Sequence, residues 1–277
     1  MSVVVPFRGG RDDAHGMLAA LARLRLGPDD ELIVADNTPD GVVPEGGSAR
    51  VVRAPRRRSA FHARNAGAAL ATGEWLLFTD ADCEPPVDLL ERLWEPKPAP
   101  GCGVVAGEAR GDASQTALLA RWARSRRGAI ASHHRELGSR PAGTTANLLV
   151  RRAAFEAVGG FCEVRSDADT ELCWRLTERG QRLEHRPAAV VAHRDPERLG
   201  DVVRQAAGYG AGRRWLRSSF GDAVPGMPLA RPLGRAVGGA LAWTLALRFQ
   251  RAAFKLVDGV VAAAGWWGYT FGDNRPG

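Results

Sequence analysis

The chain has 277 residues, long enough for one large domain or two small ones. Its 45% hydrophobic and 25% charged residues exclude a disordered or fibrous protein, and four widely spaced cysteines without a Cys-x-x-Cys pair argue against a disulfide framework or a zinc ribbon. The net charge of +7 comes almost wholly from arginine, whose planar fork suits phosphates, carboxylates and anionic surfaces, although a genomic bias toward arginine would give the same balance.

Ser2–Val5 is an apolar, β-branched run. It is too short for the apolar core of a signal peptide, lacks a basic start and runs into Arg8, so it reads as a first strand and the chain as cytoplasmic. Apolar residues at helical spacing over 14–26 predict a helix, and 31–35 a second strand closed by the turn-rich Asp36-Asn37-Thr38-Pro39-Asp40-Gly41. Val51-Val52 marks a third strand and 60–71 a second helix. Trp75-Leu76-Leu77-Phe78-Thr79 is apolar on both faces, as a central strand of a covered sheet must be. Such alternation predicts an α/β, doubly wound domain flanked by helices.

Further along, 104–106 reads as a strand, 115–127 as a basic helix and 143–150 as loop into strand. A short helix over 153–158 stops at Gly159-Gly160, a clear helix spans 169–179, and Val190-Val191 is a short strand. The α/β part is expected to occupy residues 1–195, with a helical region over 196–277. In that region 236–247 and 259–272 carry no charge, Arg248, Arg251, Lys255 and Asp258 lie between them, and both fall short of the roughly 18–20 apolar residues that span a bilayer. They predict helices packed on the rest of the chain or on a second copy as a homodimer, or else an interfacial pair making peripheral membrane contact.

The strongest chemical signal is Asp80-Ala81-Asp82, directly after the central apolar strand. Ligands of open α/β sheets bind beyond the carboxyl ends of the strands, and two carboxylates flanking a small residue can hold Mg²⁺ or Mn²⁺; a solvated acidic turn is the competing reading. Asp169 precedes Leu172, Cys173 and Leu176 by three, four and seven positions, which puts it on their inward stripe. It is either a reactive carboxylate or one half of a capping box with Ser166. Ser59, His62, Arg64 and Asn65 form a possible anion seat at a helix start. Asp36 ends a strand at the same edge and could instead stabilise its turn.

Together these residues resemble a family-2 glycosyltransferase of the GT-A fold. The likeness runs through Val3-Val4-Val5-Pro6, Val34-Ala35-Asp36-Asn37, Ala63-Arg64-Asn65-Ala66-Gly67 and the stretch from Gly73 to Asp82. It continues in Asn147-Leu148-Leu149-Val150-Arg151-Arg152, Gly159-Gly160-Phe161 and Asp169-Thr170-Glu171-Leu172-Cys173-Trp174-Arg175-Leu176. The resemblance implies a GT-A-like catalytic domain that transfers one sugar from a nucleotide-diphosphate donor to an acceptor hydroxyl, with inversion and with a divalent cation, Mn²⁺ or Mg²⁺. It implies that Asp36 contacts the base, that Arg64, Asn65 and Asn147 border the donor, that Asp80 lies near the ribose, and that Asp82 holds the metal with Asp80 and His193. It assigns Asp169 as general base.

The chain departs from the family pattern at Ala168, where a glutamate is usual, and at Glu171, where a second aspartate is common. A Gln-x-x-Arg-Trp motif of processive synthases is absent, Gln205 lying nine positions before Arg214-Trp215, so a non-processive transfer is expected. Ala168 keeps open a degenerate, nucleotide-sugar-binding module. A sugar-1-phosphate nucleotidyltransferase would need a glycine-rich basic loop after the first strand, of which Phe7-Arg8-Gly9-Gly10 is a poor version. No nucleic-acid recognition module is visible, and the acceptor (glycan, lipid-linked saccharide or small metabolite) is left open.

Overall fold

The computed structural model describes the backbone of residues 1–137 and 140–276, and the side chains of these residues outside 127–139. Strands β1 (Ser2–Phe7), β2 (Glu31–Asp36), β3 (Ala49–Arg53) and β4 (Trp75–Thr79) alternate with helices α1 (Arg11–Leu21) and α2 (Ala60–Ala68). Next come β5 (Cys83–Glu84), α3 (Leu89–Trp94), β6 (Cys102–Gly111), α4 (Leu118–Arg135) and a small hairpin of β7 (Glu136–Leu137) and β8 (Arg140–Pro141). The α/β part closes with β9 (Asn147–Arg151), α5 (Arg152–Ala157), α6 (Ala168–Glu178) and β10 (Arg182–His193), and α7 (Leu199–Phe220), α8 (Ala230–Leu245) and α9 (Phe249–Phe271) follow.

Among the described residues, eight strands form one mixed sheet in the order β3-β2-β1-β4-β9-β6-β10-β5. β1 runs parallel to β2 and β4, whereas β9 is antiparallel to both β4 and β6. Successive side chains of a strand face opposite sides, and the core follows that rule. Val3 and Val5 pack with Met17 and Leu21 of α1 and Leu89 and Leu93 of α3. Val4 looks the other way, into a core with Phe78, Phe61, Phe155 and Trp174. Phe78 touches the rings of Phe161 and Phe155 at 4.9 and 5.5 Å, and truncating it to alanine should cost about 3–5 kcal/mol. Helix α2 lies so close on β1 that a side chain at Gly67 would come within 2.5 Å of Val4.

Several elements depart from the sequence expectation. α1 ends at Leu21 rather than near Leu26, because the chain turns to place Leu24 in the core and to donate from the Arg25 amide to the Val87 carbonyl at 2.8 Å. β10 is twelve residues long, not a short strand at Val190-Val191. Its first half is partly exposed and polar, so it carries little apolar signal, and register shifts against β6 after Arg182 and between His185 and Val190 break its alternation.

The last three helices pack onto this body mainly through α7 and α9. A Cβ on Gly210 would lie 2.0 Å from the Gly265 carbonyl, and one on Gly268 2.0 Å from the Ala207 carbonyl, so the two backbones meet almost directly. Trp122 of α4 donates to Asp258 of α9 at 2.9 Å, and Arg126 forks onto the same carboxylate at 2.8 Å from both nitrogens. Past α9 the chain returns to the α/β part. The buried Asn274 donates to the Ser166 carbonyl and accepts from the Ser166 amide, both at 3.0 Å, and its own carbonyl accepts from the Arg165 amide. No helix among the described residues is long and apolar enough to cross a membrane.

Candidate active site

The turn after β4 carries the acidic pair. Asp80 directly follows the strand, and the Cys83 amide donates back to its carbonyl at 3.1 Å, which tightens the turn into β5. β5 pairs antiparallel with β10 in the register His193 opposite Cys83. That pairing brings a histidine from 110 positions downstream onto the acidic turn. The ligand atoms of Asp80, Asp82, Cys83 and His193 all lie within 4.8 Å of one another, and His193 Nε2 stands 3.6 Å from Asp82 Oδ1.

Two hard carboxylate oxygens and an imidazole nitrogen fit Mn²⁺ or Mg²⁺, with room left for phosphate oxygens. Cys83 was not foreseen in this group. Burial, reinforced by the charges of Asp80 and Asp82, pushes its thiol well above the usual range, so it remains protonated and is no ligand for a hard cation. Arg64 reaches across from α2 to bond Asp80 and lies over the Phe61 ring, 5.0 Å from its centre. It therefore helps to hold Asp80 in place.

Asp80 and His193 open onto a cavity of about 240 Å³ whose other walls include Gly107, Thr144, Trp122 and Tyr209. The loop 142–146 both lines this cavity and bonds α6. Gly143, Thr144 and Ala146 face the cavity, while the Thr145 amide donates to Asp169 Oδ2 at 3.2 Å. Ala146 in turn accepts from the Thr79 hydroxyl at 2.9 Å, at the end of β4. One loop thus links the strand bearing Asp80 to the helix bearing Asp169.

The start of α6 differs from the expected capping box. Asp167, with φ of 64°, is the N-cap, and Ser166 bonds Asp167 and Asn274 rather than the amide of Asp169. Asp169 therefore sits in the first turn with one oxygen accepting from the Thr170 amide at 2.9 Å and the other from Thr145. Burial, together with the neighbouring charge of Asp169, raises the Asp167 carboxyl to about 7, against the opposing pull of Arg213 and Ser166.

Three residues expected at the donor also make bonds within the fold. Asp36 is wholly buried and its carboxylate accepts from the Thr38 amide and hydroxyl at 2.9 and 2.6 Å and from the amides of Val42 and Val43 at 2.8 and 3.1 Å. These four bonds tie the carboxylate to its own turn at the carboxyl edge of the sheet. Burial by itself would raise this carboxyl, but the bonds from Thr38, Val43 and Val42 outweigh burial and hold it below the ordinary range. Asn147 is also wholly buried, donating to the carbonyls of Ala189 and Glu108 at 2.9 and 3.1 Å and tying β9 to its neighbours. Asn65 uses both ends of its amide on the backbone of Phe161, at 2.9 and 3.0 Å.

The anion seat at α2 is likewise filled from within. Ser59 caps the helix and donates to the Val164 carbonyl, and His62 Nδ1 lies 2.8 Å from Glu163.

Residues 2–159, more than half the chain, match the model of glycosyl transferase family 2. The chain belongs to that family. Its mixed sheet with helices on both faces is the GT-A fold, and the nucleotidyltransferase alternative falls away. Among relatives, the pre-mycofactocin glycosyltransferase of Mycobacterium tuberculosis is 29% identical over 251 residues, covering 88% of this chain and 52% of the relative. The family-2 chain thus spans about half the length of the curated relatives it matches.

Solved structures with the same fold include the mannosyltransferase PcManGT from Pyrobaculum calidifontis in complex with GDP-Man and Mn²⁺. It has a TM-score of 0.67 and 19% identity, over 98% of this chain and 86% of the other. A second is the glucosyl-3-phosphoglycerate synthase of Mycobacterium tuberculosis in complex with Mn²⁺, UDP and phosphoglyceric acid. Its TM-score is 0.54 at 20% identity, over 81% of this chain and 78% of the other.

Proposed function

We propose that this chain is a metal-assisted, inverting glycosyltransferase that moves a single sugar from a nucleotide-diphosphate donor to an acceptor hydroxyl. The observation that carries the proposal is the convergence of Asp80, Asp82 and His193, the first and last of them lining a cavity whose loop 142–146 is bonded to Asp169. Asp82, Asp80 and His193 would hold a divalent cation, which when bound neutralises the charge of the departing diphosphate. Arg64 keeps Asp80 oriented toward it. Asp169 takes the proton of the acceptor hydroxyl, its position fixed by the Thr145 and Thr170 amides. A single carboxylate suffices, because a nucleotide diphosphate leaves without needing a proton, unlike the sugar leaving group of a hydrolase. The complexes of the two solved relatives, one with GDP-Man and Mn²⁺ and one with Mn²⁺ and UDP, support the donor class.

A panel of nucleotide sugars with and without Mn²⁺ or Mg²⁺, read as thermal stabilisation, tests this. One donor should raise the melting temperature only when metal is present, and Asp82→Asn should abolish that rise while melting like the parent protein on its own. Equal nucleotide affinity in parent and variant, with and without Mn²⁺, would remove Asp82 from the site. The buried Ala168 favours a second reading, a nucleotide-sugar-binding module without turnover; donor binding with no nucleotide release across all acceptor classes would establish it.

A further inference from the structure

The cavity beside Asp80 and His193 is walled in part by helices that lie outside residues 2–159, the stretch that matches the family model. Val202 and Ala206 of α7 and Val261 of α9 line it together with Trp122 of α4. Trp122, Val202 and Val261 also share one apolar cluster with Phe254 and Val257. Ring and methyl surface from three helices therefore borders the space that Asp80 and His193 open onto.

One carboxylate engages the polar groups of α4 on this wall. Trp122 has a single N–H, and it donates to Asp258 Oδ1 at 2.9 Å. Arg126, which also lines the cavity, spends Nε and one terminal nitrogen on the two oxygens of Asp258, both at 2.8 Å, and Lys255 Nζ stands 3.2 Å from the same group. Burial by itself would raise the Asp258 carboxyl, but the bonds from Arg126 and Trp122 outweigh it and hold the group below the ordinary range, so it stays charged. A residue of α9 thus fixes both the ring of Trp122 and the guanidinium of Arg126. Gln205 and Tyr209 of α7 line this cavity and also an open pocket beside Arg165, which puts them at the boundary between the two.

The chemistry of the wall selects its occupant. A sugar is a polyol and needs partners for most of its hydroxyls, which an indole with its N–H engaged, two valines and an alanine do not supply. The charged diphosphate of a donor belongs with the cation at Asp80, Asp82 and His193. The part of a substrate that gains from the helical wall is therefore apolar. The cavity holds about 240 Å³, and an apolar space of about 150 Å³ already admits a benzene ring. There is room for one ring-sized group beside a reacting hydroxyl.

We propose that the acceptor hydroxyl is carried by a small molecule with an apolar, ring-sized group, that this group seats against Trp122, Val202 and Val261, and that Asp258 is a positioning residue that holds the wall for it. Calling that molecule the acceptor rests on the transferase reading above; the wall and its ring-sized ligand do not.

The full chain, without donor or metal, would be titrated with benzyl alcohol and with glycerol, a plain polyol, and followed by saturation-transfer NMR. Benzyl alcohol should bind saturably and glycerol should not. Val261→Phe, which fills the wall from α9, should weaken benzyl alcohol about tenfold. Ala123→Leu fills it from α4 and gives the same reading where Val261→Phe melts lower than the parent. Asp258→Asn should weaken benzyl alcohol about fivefold at a temperature where parent and variant are both folded. The same variant should keep the metal-dependent stabilisation by a nucleotide sugar, a split that general loss of structure would not give. The seat is overturned if glycerol binds as well as benzyl alcohol, if neither saturates, or if both filled variants bind like the parent. Equal affinity in Asp258→Asn overturns the positioning role. Saturable benzyl alcohol binding with no metal-dependent nucleotide-sugar binding keeps the seat and fails the transferase reading, and the reverse pattern fails the seat alone.

Discussion

Asp36, closing β2, and Asp80, just past β4, stand at the same carboxyl edge of one sheet with only β1 between their strands. The first is wholly buried and accepts four hydrogen bonds from the turn that follows it. The second is held by Arg64 and opens onto a cavity shared with His193. The difference lies in what the next few residues offer. After Asp36, a threonine and two backbone amides fold back onto the carboxylate. After Asp80, the chain goes straight into β5 and its amides serve the turn and the pairing with β10. Two carboxylates at the ligand-binding edge of one sheet thus differ in how much of their hydrogen-bonding capacity the local backbone takes up.

Substitutions can sharpen that contrast. The largest effect is expected at Asp169→Asn, which should lower the transfer rate about 10²–10⁴-fold while leaving metal-dependent donor binding intact. A rate that tracks only the folded fraction would return Asp169 to a structural role. Next, Asp36→Asn should destabilise the fold by about 2–3 kcal/mol, because an amide nitrogen would then face backbone donors, with nucleotide affinity per folded molecule preserved. Chemical denaturation beside a nucleotide titration checks both halves, and a stable variant that fails to bind donor would restore Asp36 to the site.

The smallest effect concerns pH, and the two aspartates involved have opposite signs. The Asp36 carboxyl is lowered in the fold, so its contribution to stability is present above its unfolded value and is lost as pH falls through the folded one. The Asp167 carboxyl is raised from 3.8 to about 7, so its contribution is complete below 3.8 and is lost as pH rises through about 7. Asp167→Asn should flatten the decline on the alkaline side and add about 1–2 kcal/mol near pH 8, read from melts across the range. A decline of the same size in the variant would place its source elsewhere.

Much of the fold was legible because burial leaves a period. β1, β2 and β4 are apolar on both faces, and α6 follows the stripe of Leu172, Cys173 and Leu176. β10 was reduced to two valines because a strand with one wet face and a register shift has no clean alternation. At the site, Asp80 and Asp82 were legible from their place after β4, and His193 from the resemblance. The bonds of Asn65 to Phe161 and of Asn147 to Ala189 were not legible, since an asparagine that bonds a ligand and one that bonds a distant carbonyl look alike in sequence. The Asn274 clasp on Ser166 had no signal, a lone asparagine near the chain end being unremarkable without its partner.

Local spacing alone determined the alternating α/β order, the acidic turn behind a dry strand, and helices too short in apolar length to span a bilayer. Folding decided which acidic groups remain open to a ligand, which histidine meets them across β5 and β10, and that Asp258 of α9 meets Trp122 and Arg126 of α4. Those outcomes depend on contacts between residues far apart in the chain, and hydrogen-bond donors that arrive from elsewhere leave no trace in the neighbourhood of the group they occupy.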